Sequence, residues 1–111
     1  ITAFGRVGHA FASQRFGVTP DIITTAKGLT NGVIPMGAVL VRKEIYDRFM
    51  TGPDYMVEFF HGYTYSGHPV AAAAGLAALE VYEEEDCFAQ ARSIEKVFEE
   101  GLHSFKGHPK V

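Results

Sequence analysis

Lys27 is the residue of this chain best placed to act as a nucleophile. It follows Thr24-Thr25-Ala26, where a short apolar stretch ends, and precedes Gly28-Leu29, where a glycine-bearing loop begins. An ammonium held beside low-dielectric surroundings is driven toward the neutral amine, and a neutral amine attacks an aldehyde. Gly28 has no side chain, so a flat ligand would reach the backbone there. The plain alternative is a solvated charge on a strand edge, the usual lot of such a lysine. Local chemistry alone favours that alternative.

Other constellations are weaker. The chain has no Gly-x-x-x-x-Gly-Lys-Ser/Thr loop, and no Gly-x-Gly-x-x-Gly follows a strand. Tyr65-Ser66-Gly67 lacks the preceding glycine of a nucleophile elbow. Ser66 and His68 stand two apart, a spacing that does not aim the imidazole at the hydroxyl. His9, His61, His68, His103 and His108 form no i,i+4 pair beside a carboxylate, and the single cysteine cannot build a zinc site. No metal centre is expected.

Composition narrows the partners. A net charge of −3 with scattered Lys and Arg gives no reason to expect nucleic acid. The longest weakly polar run, residues 70–79, is alanine-rich and too short to cross a bilayer, so no membrane association is expected. The first residue is Ile rather than Met, and no secretory signal is visible. Cys87 has no partner for an internal disulfide, which suits a reducing cytosol, and a cytoplasmic location is expected. With 47% hydrophobic and 21% charged residues over 111 positions, the chain has an ordinary globular composition.

The elements that must position Lys27 are short. Residues 1–4 read as the tail of a strand, 5–8 as a turn, and 11–16 as a helical turn before Gly17. Residues 22–26 read as a short buried strand, 28–35 as a loop, 36–41 as a second strand and 42–50 as a helix. Residues 51–67 are irregular and aromatic, a length that usually signals function in a loop. Pro69 suits a helix start, and the small residues of 70–85 allow close packing against a neighbour. Residues 87–105 carry Phe88, Ala91, Ile94, Phe98, Leu102 and Phe105 at three- and four-residue spacing, an amphipathic helix. The acidic run 83–86 ahead of it suits the positive end of its dipole, or is simply a solvated junction. Two strands and these helices do not close a domain. The chain is therefore expected to be a fragment of a larger α/β enzyme.

Three blocks change the weight of Lys27. Residues 17–29, GVTPDIITTAKGL, followed by Gly32-Val33-Ile34-Pro35-Met36-Gly37-Ala38, closely resemble the cofactor-lysine segment of the class III, pyridoxal-phosphate-dependent aminotransferases. Upstream, Ala3-Phe4-Gly5-Arg6-Val7-Gly8 is similar to that family's Phe/Gly-Gly-Arg-x-Gly element. Downstream, His61-Gly62-Tyr63-Thr64-Tyr65-Ser66-Gly67-His68-Pro69-Val70 is similar to its second signature. The likeness runs along essentially the whole chain in the family's order. Within the family it is greatest to the omega-amino acid–pyruvate (β-alanine–pyruvate) transaminases, through residues 34–38 and 61–65.

The resemblance implies an α/β fold, part of the large domain of a fold-type-I transferase. Residues 1–111 would be a fragment of the cofactor-binding large domain, running into interdomain helices at about 87–106. Lys27 would hold pyridoxal 5′-phosphate as a Schiff base and then, as a free amine, move a proton between substrate and cofactor. Thr64, with the backbone around Tyr63, would bind the phosphate of the neighbouring subunit's cofactor, which makes a homodimer the expected state. An amino donor and a 2-oxo acid, pyruvate by likeness, would be the substrates. Arg6 is as readily a structural ion-pair partner as a ligand and stays outside the site. The family's pyridinium-binding aspartate would fall about three positions before Ile1, where it keeps the pyridine nitrogen protonated. The N-terminal phosphate-binding segment and the C-terminal small domain with its substrate-carboxylate arginine are also absent. These 111 residues alone are therefore expected to be inactive. Other class III chemistries, with 2-oxoglutarate as acceptor or as aminomutase, racemase or decarboxylase, use the same lysine. A non-catalytic dimerisation module is the rival outside catalysis.

Overall fold

A computed structural model of the chain describes residues 1–56 and 59–110. The first four residues form turns rather than the tail of a strand. Among the described residues the sheet has only two strands, so residues 1–4 have no strand to pair with. Instead the chain doubles back, with Arg6 N–H donating to Ala3 O and Gly5 N–H to Ala10 O. This fold carries Phe4 inward, where it is buried against Phe11, edge-on at 5.5 Å, and Tyr82.

Helix α1, Ala12–Phe16, starts where Gln14 Oε1 accepts the Phe11 N–H at 3.0 Å. It stops at Gly17, whose φ of 64° few other residues would adopt, and Val18 N–H closes the turn on Ser13 O. Strand β1, Ile22–Ala26, pairs antiparallel with β2, Gly37–Val41, in the register Ile22↔Val41 to Ala26↔Gly37. The β-branched residues Ile22, Ile23, Thr24, Thr25, Val39 and Val41 suit that pleated ladder. The expected burial of β1 is corrected: Ile22 is 52% exposed, and Thr25 is its one buried residue. No layer of the described residues covers both faces of so small a sheet. Helix α2, Lys43–Phe49, follows β2, and residues 51–67 are irregular as expected, Val57 and Glu58 lying outside the described residues.

The two long helices carry most of the remaining order. Helix α3, Pro69–Glu84, begins with proline in its first turn, and His68 Nδ1 accepts the Ala71 N–H at 3.4 Å. Helix α4, Cys87–His103, is joined to α3 by a two-residue turn in which Asp86 has φ 48°. The acidic run is shared between the two. Glu83 and Glu84 close α3, where its dipole is negative, and α4 has no acidic residue in its first turn. The solvated-junction reading of that run is the better one, since all four side chains are exposed.

The molecule measures 63 × 28 × 28 Å, with a radius of gyration of 18.6 Å. A compact chain of this length would have a radius of about 13 Å. Phe4 and Ala71 are the buried apolar residues of its core, while Ile94, Val97, Phe98 and Leu102 leave the apolar stripe of α4 open. Helix α4 is held over its first half, where Phe88 meets Tyr82, the Arg92 guanidinium donates to Gly8 O and Glu95 pairs with Arg15 of α1 at 2.6 Å.

Candidate active site

Lys27 stands where β1 gives way to a single 3-10 turn, Lys27–Leu29. Its φ is 58°, in the left-handed region that residues with a Cβ avoid at a cost of roughly 1–2 kcal/mol. Such strain persists only where the surroundings over-determine it, and it concentrates at functional positions. The side chain is exposed rather than held against apolar walls, which corrects the low-dielectric expectation for this chain. Among the described residues no carboxylate lies within ion-pair distance of its ammonium. The amine is therefore free to meet an external group.

The backbone beneath it is the opposite of free. Thr30 N–H donates to Lys27 O at 3.3 Å, and Asn31 N–H to Gly28 O at 3.2 Å. The Tyr82 hydroxyl reaches across from α3 and donates to the same Gly28 carbonyl at 2.6 Å. Gly28 is buried, and a Cβ there would lie 2.6 Å from Phe4 O, so the turn tolerates no side chain at that position. Thr30, only 2% exposed, closes the following loop by donating its hydroxyl to Ile34 O at 2.6 Å. Gly75 of α3 is buried against that loop, where a Cβ would find ordinary contact with Met36 Sδ at 3.6 Å and Leu29 O at 3.7 Å. Ala71 and Gly75, both small, are the buried residues of α3.

Thr25, two residues before Lys27, is also buried, and its Oγ1 has no hydrogen-bond partner among the described residues. It borders a hollow of about 240 Å³ together with Phe4, Phe11 and Ile23. An unpaired buried hydroxyl costs about 1–3 kcal/mol, so it is a polar group waiting for a partner.

Tyr63 and Thr64 lie elsewhere. Tyr63 is 75% exposed, stacks edge-on with His61 at 5.1 Å, and borders a cleft of about 490 Å³ with Pro35, Met36, Tyr65 and His68. Lys27 does not line that cleft, so the chain does not bring Lys27 and the Tyr63–Thr64 pair into one pocket. The Tyr63 N–H is already donated to Ser66 Oγ at 3.1 Å, and Ser66 N–H returns to Tyr63 O at 2.9 Å. Thr64 is exposed at the tip of this turn, with its hydroxyl turned to no group among the described residues. As donors these groups suit a carbonyl cofactor bearing a phosphate: a free amine for the aldehyde and a free hydroxyl for the phosphate. Tyr82 escaped the reading of the sequence, and Phe4 entered it only as part of the block at residues 3–8. Nothing in the spacing of an aromatic on one helix and another near the chain start links either to the Lys27 turn.

A family model for the class III aminotransferases matches residues 1–111. The chain is 58% identical to an omega-aminotransferase of Caulobacter vibrioides, over 94% of this chain and 24% of that protein. It is 51% identical to a beta-alanine–pyruvate aminotransferase of Pseudomonas aeruginosa, over 100% of this chain and 25% of that one. The chain thus spans about a quarter of the length of the curated relatives it matches. A taurine:2-oxoglutarate aminotransferase from Bifidobacterium kashiwanohense, solved in complex with PLP and glutamate, superposes with a TM-score of 0.79 at 44% identity, over 92% of this chain and 22% of that one.

Proposed function

The chain belongs to the class III aminotransferases, and from that premise we propose that it is the lysine-bearing part of an enzyme moving amino groups from omega-amino acids or amines to pyruvate. Its strands and helices are part of the α/β large domain of a fold-type-I transferase. In this reading residues 1–111 come from the cofactor-binding domain, with residues 87–106 leading toward a second domain. The observation that carries it is Lys27, an exposed amine with no ion-pair partner among the described residues, on a backbone in the left-handed region.

Pyridoxal 5′-phosphate, when bound, supplies an aldehyde for the amino group and a ring that accepts electrons from the substrate carbon. The chain's own residues do the rest. Lys27 would be the residue that holds the cofactor through its aldehyde, and its amine, once released, would serve as the general base that moves a proton at the substrate carbon. Thr64 would donate its hydroxyl to the phosphate of the cofactor in the neighbouring subunit, so that each site of the proposed homodimer would draw on both chains. The separation of Thr64 from the Lys27 turn accords with this sharing, since Lys27 is not on the cleft that Tyr63 borders. The half-exposed Cys87 stays reduced in the cytoplasm, where we place the enzyme.

The test uses the full-length protein that carries this segment. Reconstituted with pyridoxal 5′-phosphate and treated with borohydride, it should retain the cofactor on the peptide containing Lys27, and Lys27→Ala should retain none. Label found on another lysine, or none in the unmodified protein, overturns the assignment. Amino donors offered with pyruvate or with 2-oxoglutarate then fix the acceptor. A 2-oxoglutarate acceptor is the second reading, supported by the 44% identity to the taurine:2-oxoglutarate aminotransferase. The isolated 111-residue chain should transfer no amino group to either acceptor.

A further inference from the structure

The Gly28 carbonyl, one residue beyond Lys27, receives two donors. One is local, the Asn31 N–H at 3.2 Å. The other comes from 54 residues away, the Tyr82 hydroxyl at 2.6 Å. A carbonyl oxygen has two lone pairs, and here both are engaged. Tyr82 does not reach this carbonyl by chance of rotation. Its ring is half-buried between Phe4, at 6.2 Å, and Phe88 of α4, at 5.6 Å, so two neighbours hold the hydroxyl on line.

We infer that Tyr82 is a positioning residue for Lys27, acting through the Gly28 carbonyl. The turn at Lys27 combines two unfavourable features: a non-glycine residue at φ 58° and a 3-10 turn of only three residues. Left to itself, such a turn relaxes toward extended backbone, because a single 3-10 turn contributes few hydrogen bonds and poor geometry. Phe4 O presses on Gly28 from one side, leaving no room for a side chain, but contact alone does not set the direction of the carbonyl. The Tyr82 hydroxyl does. With the Gly28 carbonyl pinned, the Gly28–Leu29 peptide is held in place, and the backbone from which the Lys27 side chain extends is steadied. Tyr82 touches neither substrate nor cofactor in this role. Its effect is one of orientation, and misplacement of about 1 Å in a reacting group lowers turnover as much as 100-fold.

This inference rests on the assignment of Lys27 as the cofactor lysine, and its test separates the two. Tyr82→Phe keeps the ring between Phe4 and Phe88 and removes only the donor. In the cofactor-free full-length protein, amide exchange over residues 28–36, followed by mass spectrometry, should quicken about tenfold. In the loaded enzyme kcat should fall about tenfold while KM for the amino donor moves less than about twofold. Both changes together support the inference. Either one without the other overturns it, as does a lowered melting temperature with exchange and kcat unmoved. If the unmodified protein fixes no cofactor at Lys27, the assignment of Lys27 falls, and the role of Tyr82 toward its amine falls with it. If cofactor is fixed normally but Tyr82→Phe behaves like the parent, only the inference about Tyr82 falls.

Discussion

The Lys27 turn and the Tyr63–Thr64 turn carry the two halves of one proposed site, yet they are built in opposite ways. Beneath Lys27 the backbone is clamped from two directions, by Phe4 O and by the Tyr82 hydroxyl. Around Tyr63 the bonds are local, between residues 63 and 66, and the side chains are exposed. A group that must hold a strained geometry needs support from its own fold. A group proposed to serve a neighbouring subunit would need only to be presented, because that subunit would supply the other wall. The difference teaches that backbone changes at the first turn should cost stability as well as function, whereas changes at the second should cost function alone.

Substitutions in the full-length protein probe that contrast. Lys27→Ala should lower amino transfer by about 10⁴-fold or more, since nucleophile and base are lost together. Its melting temperature should hardly move, because the side chain is exposed; a large loss of stability would mean that the lysine is structural. Gly28→Ala should cost about 2–3 kcal/mol in denaturant unfolding, because its Cβ would press on backbone at 2.6 Å rather than on a flexible side chain. A neutral result would show that the clamp on this turn yields. Thr64→Ala should weaken cofactor binding about tenfold in a titration, with unfolding unchanged. Lost stability instead would place Thr64 in the fold of its own chain. Gly62→Ala is the smallest change expected. Nothing lies within 4 Å of a Cβ there, so stability should stay within about 0.5 kcal/mol.

Much of the local architecture was legible from residue pattern. Gly17 and Pro69 bound their helices as punctuation predicts, and β1, β2 and α2 lie within a residue or two of expectation. What misled was everything that depends on neighbours. Ile22 and Ile23 read as a buried strand because apolar runs usually are, but burial requires a covering layer. Residues 1–4 read as a strand for the same reason, and took up turns where no strand lay alongside. The amphipathic stripe of α4 was correctly read as a helix face, while its exposure at Val97, Phe98 and Leu102 was not. Hydrophobic periodicity records which face wants burial, not whether anything is there to bury it.

The order of residues, by itself, determined that Lys27 follows a strand and precedes a glycine turn, and the flanking blocks marked the family. These are properties of near neighbours in the chain, where steric and turn preferences act directly. Only the tertiary structure decided that Lys27 adopts φ 58°, that Gly28 must be bare because Phe4 O lies against it, and that Tyr82 grips the Gly28 carbonyl. Tyr82 is 54 residues from Gly28 in sequence, and no local propensity encodes such a bond. It exists because α3 lies across the turn, and that is a consequence of packing.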